Sequence, residues 1–260
     1  MSRHLLSVLV LFVSLIAVPT IAQHSSAPAT GHAATAAPGH ETAVALDPDA
    51  ALTMLLKGNE RFVRGTRTSP NLSREHRIQT ARNGQKPFVS ILSCSDSRVP
   101  LEHVFDAGIG DLFVIRVAGN VADKAEIGSL EYGVGHLGTS LLVVLGHTKC
   151  GAVTAVVTGA KVGGNITSFT DNIAPAAEKT RKLAKGLSPD ELVLKSIKAN
   201  VWQSVEDIYN SSDEICAMVA EGKLKVVGAL YDLESGKVTN LGVHVQQEKL
   251  VRKIEKEPDI

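Results

Sequence analysis

Four apolar runs constrain this chain more than anything else in it. PFVSILSC, DLFVIRVAG, TSLLVVLGH and LKVVGALYDL are each bounded by turn residues, and each is almost continuously hydrophobic. A strand exposed on one face alternates apolar and polar residues. A continuous apolar run belongs to a strand covered on both faces, as in a parallel sheet. Helical spacing fills the intervals: Lys124 to Val134, Ala152 to Val157 and Ser188 to Tyr209. Ser235-Gly236 predicts a hairpin from the last run into KVTNLGVHV. The alternation predicts an α/β fold with a mostly parallel central β-sheet flanked by helices. An N-terminal helical arm should precede the sheet. Asp47-Pro48-Asp49 caps its first helix, Gly65 ends it, and Ser73 caps a second helix to Arg82.

The start of the chain reads differently. Arg3 and His4 precede an apolar run from Leu5 to Val18, and Thr20-Ile21-Ala22 supplies a small-residue cleavage pattern. Residues 1–22 are therefore expected to be a secretory signal peptide. An uncleaved anchor is the alternative, but the run is short for a span of about 20 residues. Residues 23–45 lack the large apolar side chains of a core, so a flexible linker is expected there, with His24, His32 and His40 solvated. The folded domain should occupy residues 46–260. Export implies a periplasmic or secreted protein with no stable membrane insertion of the mature chain.

Lys and Arg number 27 and Asp and Glu 27, so the formal net charge is zero. With no basic block, a nucleic-acid partner is not expected. Gly133-Val134-Gly135-His136-Leu137-Gly138 matches G-x-G-x-x-G, but a helical stretch precedes it and a strand follows. A dinucleotide site needs the opposite order, so a glycine-rich turn is the reading.

Chemistry concentrates at two strand ends. Cys94, Asp96 and Arg98 follow the first apolar run, and His147 and Cys150 close the third within GHTKCG. Ligands of parallel sheets bind beyond the carboxyl ends of strands, so the two clusters can meet. Two cysteines and a histidine are ordinary zinc ligands and leave one tetrahedral position, open to Asp96 or to water. A bidentate pair with Arg98 would hold Asp96 away from the metal, and release would let it close the site. A Cys94–Cys150 disulfide and a closed structural zinc are the alternatives. Cys216, in EICAMVA, is expected to be a buried free thiol; His103, His136 and His244 are expected to be structural or surface residues.

CSDSRVP and GHTKCGA resemble the two signature segments of the β-class carbonic anhydrases, and the resemblance runs from about Leu46 through the last strand. It implies one Zn2+ per subunit on Cys94, His147 and Cys150, with Asp96 a ligand in a closed state only. It implies reversible hydration of carbon dioxide to bicarbonate and a proton by hydroxide on that zinc, with Asp96 and Arg98 as the catalytic dyad. Gln85, nine positions before Cys94, together with Val99, Phe113, Tyr132 and Gly151, would line a plant-like substrate pocket. Ile91 stands where bicarbonate-inhibited members carry tryptophan, so Arg116 is not expected to build a regulatory bicarbonate site. The family pairs its subunits with the site at the interface, which implies a homodimer or a dimer of dimers. A CS2 or COS hydrolase on the same scaffold, and a non-catalytic zinc-binding or redox protein, are the competing functions.

Overall fold

The structure is a computed structural model that describes residues 46–183 and 186–251. The expected signal peptide, linker and linker histidines lie outside these residues. The chain divides into two units at Glu41/Thr42, and every described residue belongs to the second.

The elements follow in chain order: α1 (Pro48–Arg64), α2 (Arg74–Asn83), β1 (Val89–Ser93), α3 (Leu101–Val104), β2 (Leu112–Arg116), α4 (Lys124–Glu131), β3 (Leu141–His147), α5 (Gly151–Thr158), α6 (Thr167–Leu183), α7 (Pro189–Ser211), α8 (Asp213–Ala220), β4 (Lys225–Tyr231), β5 (Val238–Gly242) and α9 (Gln247–Val251). Asp47 caps α1 through its side chain, and Gly65 ends it in the left-handed conformation at φ 68°. Ser73 caps α2. α4 runs directly into a π-helical turn, Tyr132–His136. The predicted turn therefore starts as helix, and Gly138, at φ 71°, ends it before β3.

The sheet order is β2-β1-β3-β4-β5. All pairs are parallel except the β4–β5 hairpin. Every residue of β1 and β3 is buried, because helices cover both faces. Leu92, Leu142 and Val144 point into a core closed by α4, α7, α8 and α9. Ile91, Val143 and Leu145 point the other way, onto Ala51 and Leu55 of α1 and Leu101 and Val104 of α3. Alternate residues thus serve two cores, which is why the runs read as unbroken. β2 is a sheet edge, and its first four residues are only half-buried. Among the described residues no helix is long and apolar enough to cross a membrane.

The chain passes from β1 to β2 on one side and then places β3 on the other side of β1. Connections on either side of that point leave a crevice at the carboxyl ends of β1 and β3. Cys94 follows β1 directly, and His147 is the last residue of β3.

Candidate metal centre

The crevice brings the two sequence clusters together. The donor atoms of Cys94, His147 and Cys150 all lie within 4.8 Å of one another, and all three residues are buried. A tetrahedral zinc with ordinary bond lengths separates two thiolate sulfurs by about 3.8 Å, so the group has the right span. All three cysteines of the described chain, Cys216 included, are free and buried, so no Cys94–Cys150 disulfide is present. The sites sit in a small apolar layer of Val121, Val153, Ile173, Ile197 and Leu230.

Local structure aims each donor. His147 Nδ1 lies 2.9 Å from the Thr148 carbonyl. A carbonyl only accepts, so Nδ1 carries the proton and Nε2 keeps its lone pair. That Nε2 is buried without a hydrogen-bond partner. A buried polar atom with no partner is costly, and a metal between it and the sulfurs removes the cost. Cys150 stands at the N-cap of α5 with no side-chain cap bond of its own. The amides of Ala152 and Val153 in the first turn of α5 face its sulfur, as suits a thiolate at a positive helix end. Without a cation the two sulfurs share one charge. Donation from Cys150 holds the Cys94 thiol well below the ordinary thiol range against the opposing effect of burial. The same bond pushes Cys150 far above the ordinary thiol range. A divalent metal lets both be thiolates. The donors present fit zinc.

Beside the cluster, Asp96 accepts from Arg98 twice through side chains, Nε to Oδ1 at 2.9 Å and Nη2 to Oδ2 at 2.7 Å. The Arg98 backbone N–H also donates to Oδ1, at 2.9 Å. The guanidinium holds the Asp96 carboxyl well below the usual carboxylate range. Oδ2 is 3.8 Å from His147 Nε2. Asp96 thus borders the donors while Arg98 holds it. Arg98 Nη2 also reaches the Lys149 carbonyl, at 3.2 Å, tying the two clusters together.

The expected substrate residues are placed differently. Phe113 pairs with Ser90 in the sheet register. That is four residues upstream of Cys94, or about 13 Å along a strand. Tyr132 packs against Phe113 with the rings tilted by 46° and their centroids 5.9 Å apart, and it is 48% exposed. Gln85 is exposed in the loop before β1. Phe113 is thus half-buried at the sheet edge, while Tyr132 and Gln85 are exposed. Val99 is fully buried in the α1 side of the core. Gly151 opens α5 directly after Cys150, and a Cβ there would meet nothing within 4 Å.

Several supporting roles escaped the sequence reading, among them that of Arg116, which was considered there only for a regulatory site. Arg116 donates to the Cys94 carbonyl at 3.0 Å and the Asp96 carbonyl at 2.6 Å, clamping the loop that carries both. The Thr148 hydroxyl donates to Asp232 Oδ2 at 3.3 Å and accepts from the Leu233 amide, so the β4–β5 hairpin grips the His147 turn. Neither residue has a spacing signal. A third group did leave one: Ser196, Asn200 and Ser204 recur at helical spacing on the buried face of α7.

A mostly parallel α/β sheet with two thiolates and an imidazole converging at its switch point defines a class of metal-site proteins, and a carboxylate held by arginine beside the donors narrows it. Comparisons with known proteins complete the assignment. A family profile described as "Carbonic anhydrase" matches residues 89–238. "Carbonic anhydrase 2" of Mycobacterium tuberculosis is 41% identical over 196 residues, covering 74% of this chain and 91% of that relative. The carbonic anhydrase of Mycolicibacterium smegmatis is 37% identical over 197 residues, 74% of this chain and 92% of the relative. Among solved structures, the β-carbonic anhydrase CafA of Aspergillus fumigatus superposes with a TM-score of 0.64 at 29% identity, covering 81% of this chain and 99% of that one. A tetrameric β-carbonic anhydrase of Sordaria macrospora shares the fold, with a TM-score of 0.60 at 23% identity, covering 74% of this chain and 98% of that one. The chain belongs to the β-class carbonic anhydrases.

Proposed function

We propose that this carbonic anhydrase hydrates carbon dioxide reversibly with one zinc on Cys94, His147 and Cys150 and with Asp96 and Arg98 as its polar machinery. The observation that carries this reading is the convergence of the three donors within 4.8 Å, with Asp96 Oδ2 3.8 Å from His147 Nε2. Zinc held there would supply the Lewis acid that makes water nucleophilic near neutral pH, an effect for which carbonic anhydrases are themselves the usual illustration.

The chain's own residues do the rest. Asp96 accepts a hydrogen bond from the attacking water and turns the oxygen lone pair toward carbon dioxide. Arg98 engages both carboxylate oxygens, so Asp96 stays ionised and keeps one orientation. The apolar layer around the donors suits an uncharged linear substrate and excludes bulk water.

Gln85, Phe113 and Tyr132 complete a substrate pocket only if they are presented to the donor cluster of a second copy. The half-buried edge β2 and the exposed apolar residues Met54 and Val63 of α1 support such pairing. The functional unit is a homodimer or dimer of dimers. Residues 1–22 direct export and are removed, which N-terminal sequencing of the extracytoplasmic protein checks.

Stopped-flow hydration of carbon dioxide by the purified protein, with and without chelator, tests the main reading. Rapid hydration lost on chelation and restored by zinc is expected. Turnover unaffected by complete metal removal, verified by elemental analysis, overturns it.

A further inference from the structure

The zinc donors and the dyad leave one buried polar group unexplained. On α7, Asn200 and Ser204 are each 1% exposed. They stand on the same helical face as Val201, Val205 and Ile208, which pack the main core. Buried amides and hydroxyls are costly unless they hold something. What they hold is the turn behind Cys94. Asn200 Nδ2 donates to the Gly119 carbonyl at 2.7 Å. The Ser204 hydroxyl shares its proton between the next carbonyl, Asn120, at 2.9 Å and the Asn200 carbonyl of its own helix at 3.0 Å. Asn200 Oδ1 has no partner among the described residues, so the amide is placed there for its donor end.

The gripped turn has a defined shape. Gly119 and Asn120 are both left-handed, at φ 76° and 47°. A Cβ on Gly119 would stand 2.6 Å from Ile173 Cδ1. Glycine and asparagine are the residues that take this region most readily. The outcome of the turn is specific: the Gly119 N–H points at Cys94 Sγ, with N to S 3.3 Å.

We infer that Asn200, assisted by Ser204, is a positioning residue that holds the Gly119 amide on the Cys94 sulfur and so limits how much charge that thiolate gives to the metal. The inference rests on the metal reading above. Hydrogen bonds to ligand sulfurs tune the electronics of a metal site. An N–H on sulfur stabilises the lone pairs that would otherwise go to the metal. α7 thereby acts on the metal's acidity without contacting it.

Cobalt(II) substitution reads this effect directly, because thiolate-to-cobalt charge-transfer bands report the energy of the sulfur lone pairs. In Asn200→Leu, similar in size but with no donor, the bands should shift to longer wavelength relative to wild type. Ser204→Ala should shift them in the same direction by less. Backbone circular dichroism and the melting curve are recorded on each. Bands of folded Asn200→Leu that superimpose on wild type overturn the inference. If that variant does not fold, unshifted bands in folded Ser204→Ala overturn it. Wild-type protein that gives no thiolate bands with cobalt overturns the metal reading itself, and the inference with it.

Discussion

Single residues carry the sharpest consequences. Asp96→Asn keeps the hydrogen-bonding shape but loses the charge that Arg98 pairs. Zinc content should be unchanged and hydration should fall by roughly two to four orders of magnitude, the usual span for a positioned acid–base group. Near-normal turnover would remove Asp96 from the mechanism. Asp106 makes a parallel case for stability. It is 4% exposed and left-handed, at φ 46°. Burial alone would raise its pKa. Bonds from the Thr68 amide, the Arg61 guanidinium, the Ser69 amide and the Thr68 hydroxyl outweigh that, and the carboxyl lies well below its ordinary range. A depressed folded pKa contributes stability fully above the unfolded value, about 3.9, and loses it as pH falls toward the folded value. Asp106→Asn, which tolerates the left-handed backbone, should therefore unfold more easily at pH 7, by about 2–4 kcal/mol. The gap from wild type should narrow below about pH 4. Denaturant titrations at pH 7 and pH 3 check both signs. The clustered cysteines and histidine were legible as sequence because their chemistry is distinctive. The roles of Asp106, Arg116 and Asn200 were not, although Arg116 stood at a position that the family resemblance marked and Asn200 in a helical spacing, because an ordinary polar residue takes its role from neighbours that only the fold supplies.

At the scale of elements, strands were easier to read than helices. The four apolar runs contain β1 to β4, because burial on both faces leaves an unmistakable pattern. α6 left no comparable signal: Thr170 and Thr180 lie on its buried face and Pro175 interrupts its interior. Packing against α5 and α7 stabilises it despite that composition. The π-helical turn after α4 was read only as a glycine-rich turn, since no residue periodicity marks one added residue. Contact between α1 and the end of α3 gives a test at this scale. A Cβ on Gly58 would lie 1.9 Å from the Phe105 carbonyl oxygen, a backbone atom that cannot rotate away. In an open helix, Gly→Ala stabilises by about 1 kcal/mol. Here Gly58→Ala should destabilise by about 1–3 kcal/mol or more. A melting temperature at or above wild type would show that α1 can move away without cost.

For the whole molecule, the proposed pocket, with Gln85, Phe113 and Tyr132 presented to the donor cluster of a second copy, would separate two properties that usually travel together. Met54 and Val63 are 43% and 44% exposed on α1. Replacing both with glutamate should yield a protein that sediments as a monomer, keeps its zinc and hydrates carbon dioxide far more slowly. Retained activity in a verified monomer would place the whole pocket within one chain. The strand order has a further consequence. The first thiolate follows β1, and the remaining donors arrive only at the end of β3, on the far side of the β2 excursion. A chain emerging from the ribosome therefore offers a lone thiol until β3 docks beside β1. Zinc bound by these donors as proposed would join a nearly finished sheet, so its uptake during refolding would serve as a clock for the moment that β1 and β3 meet.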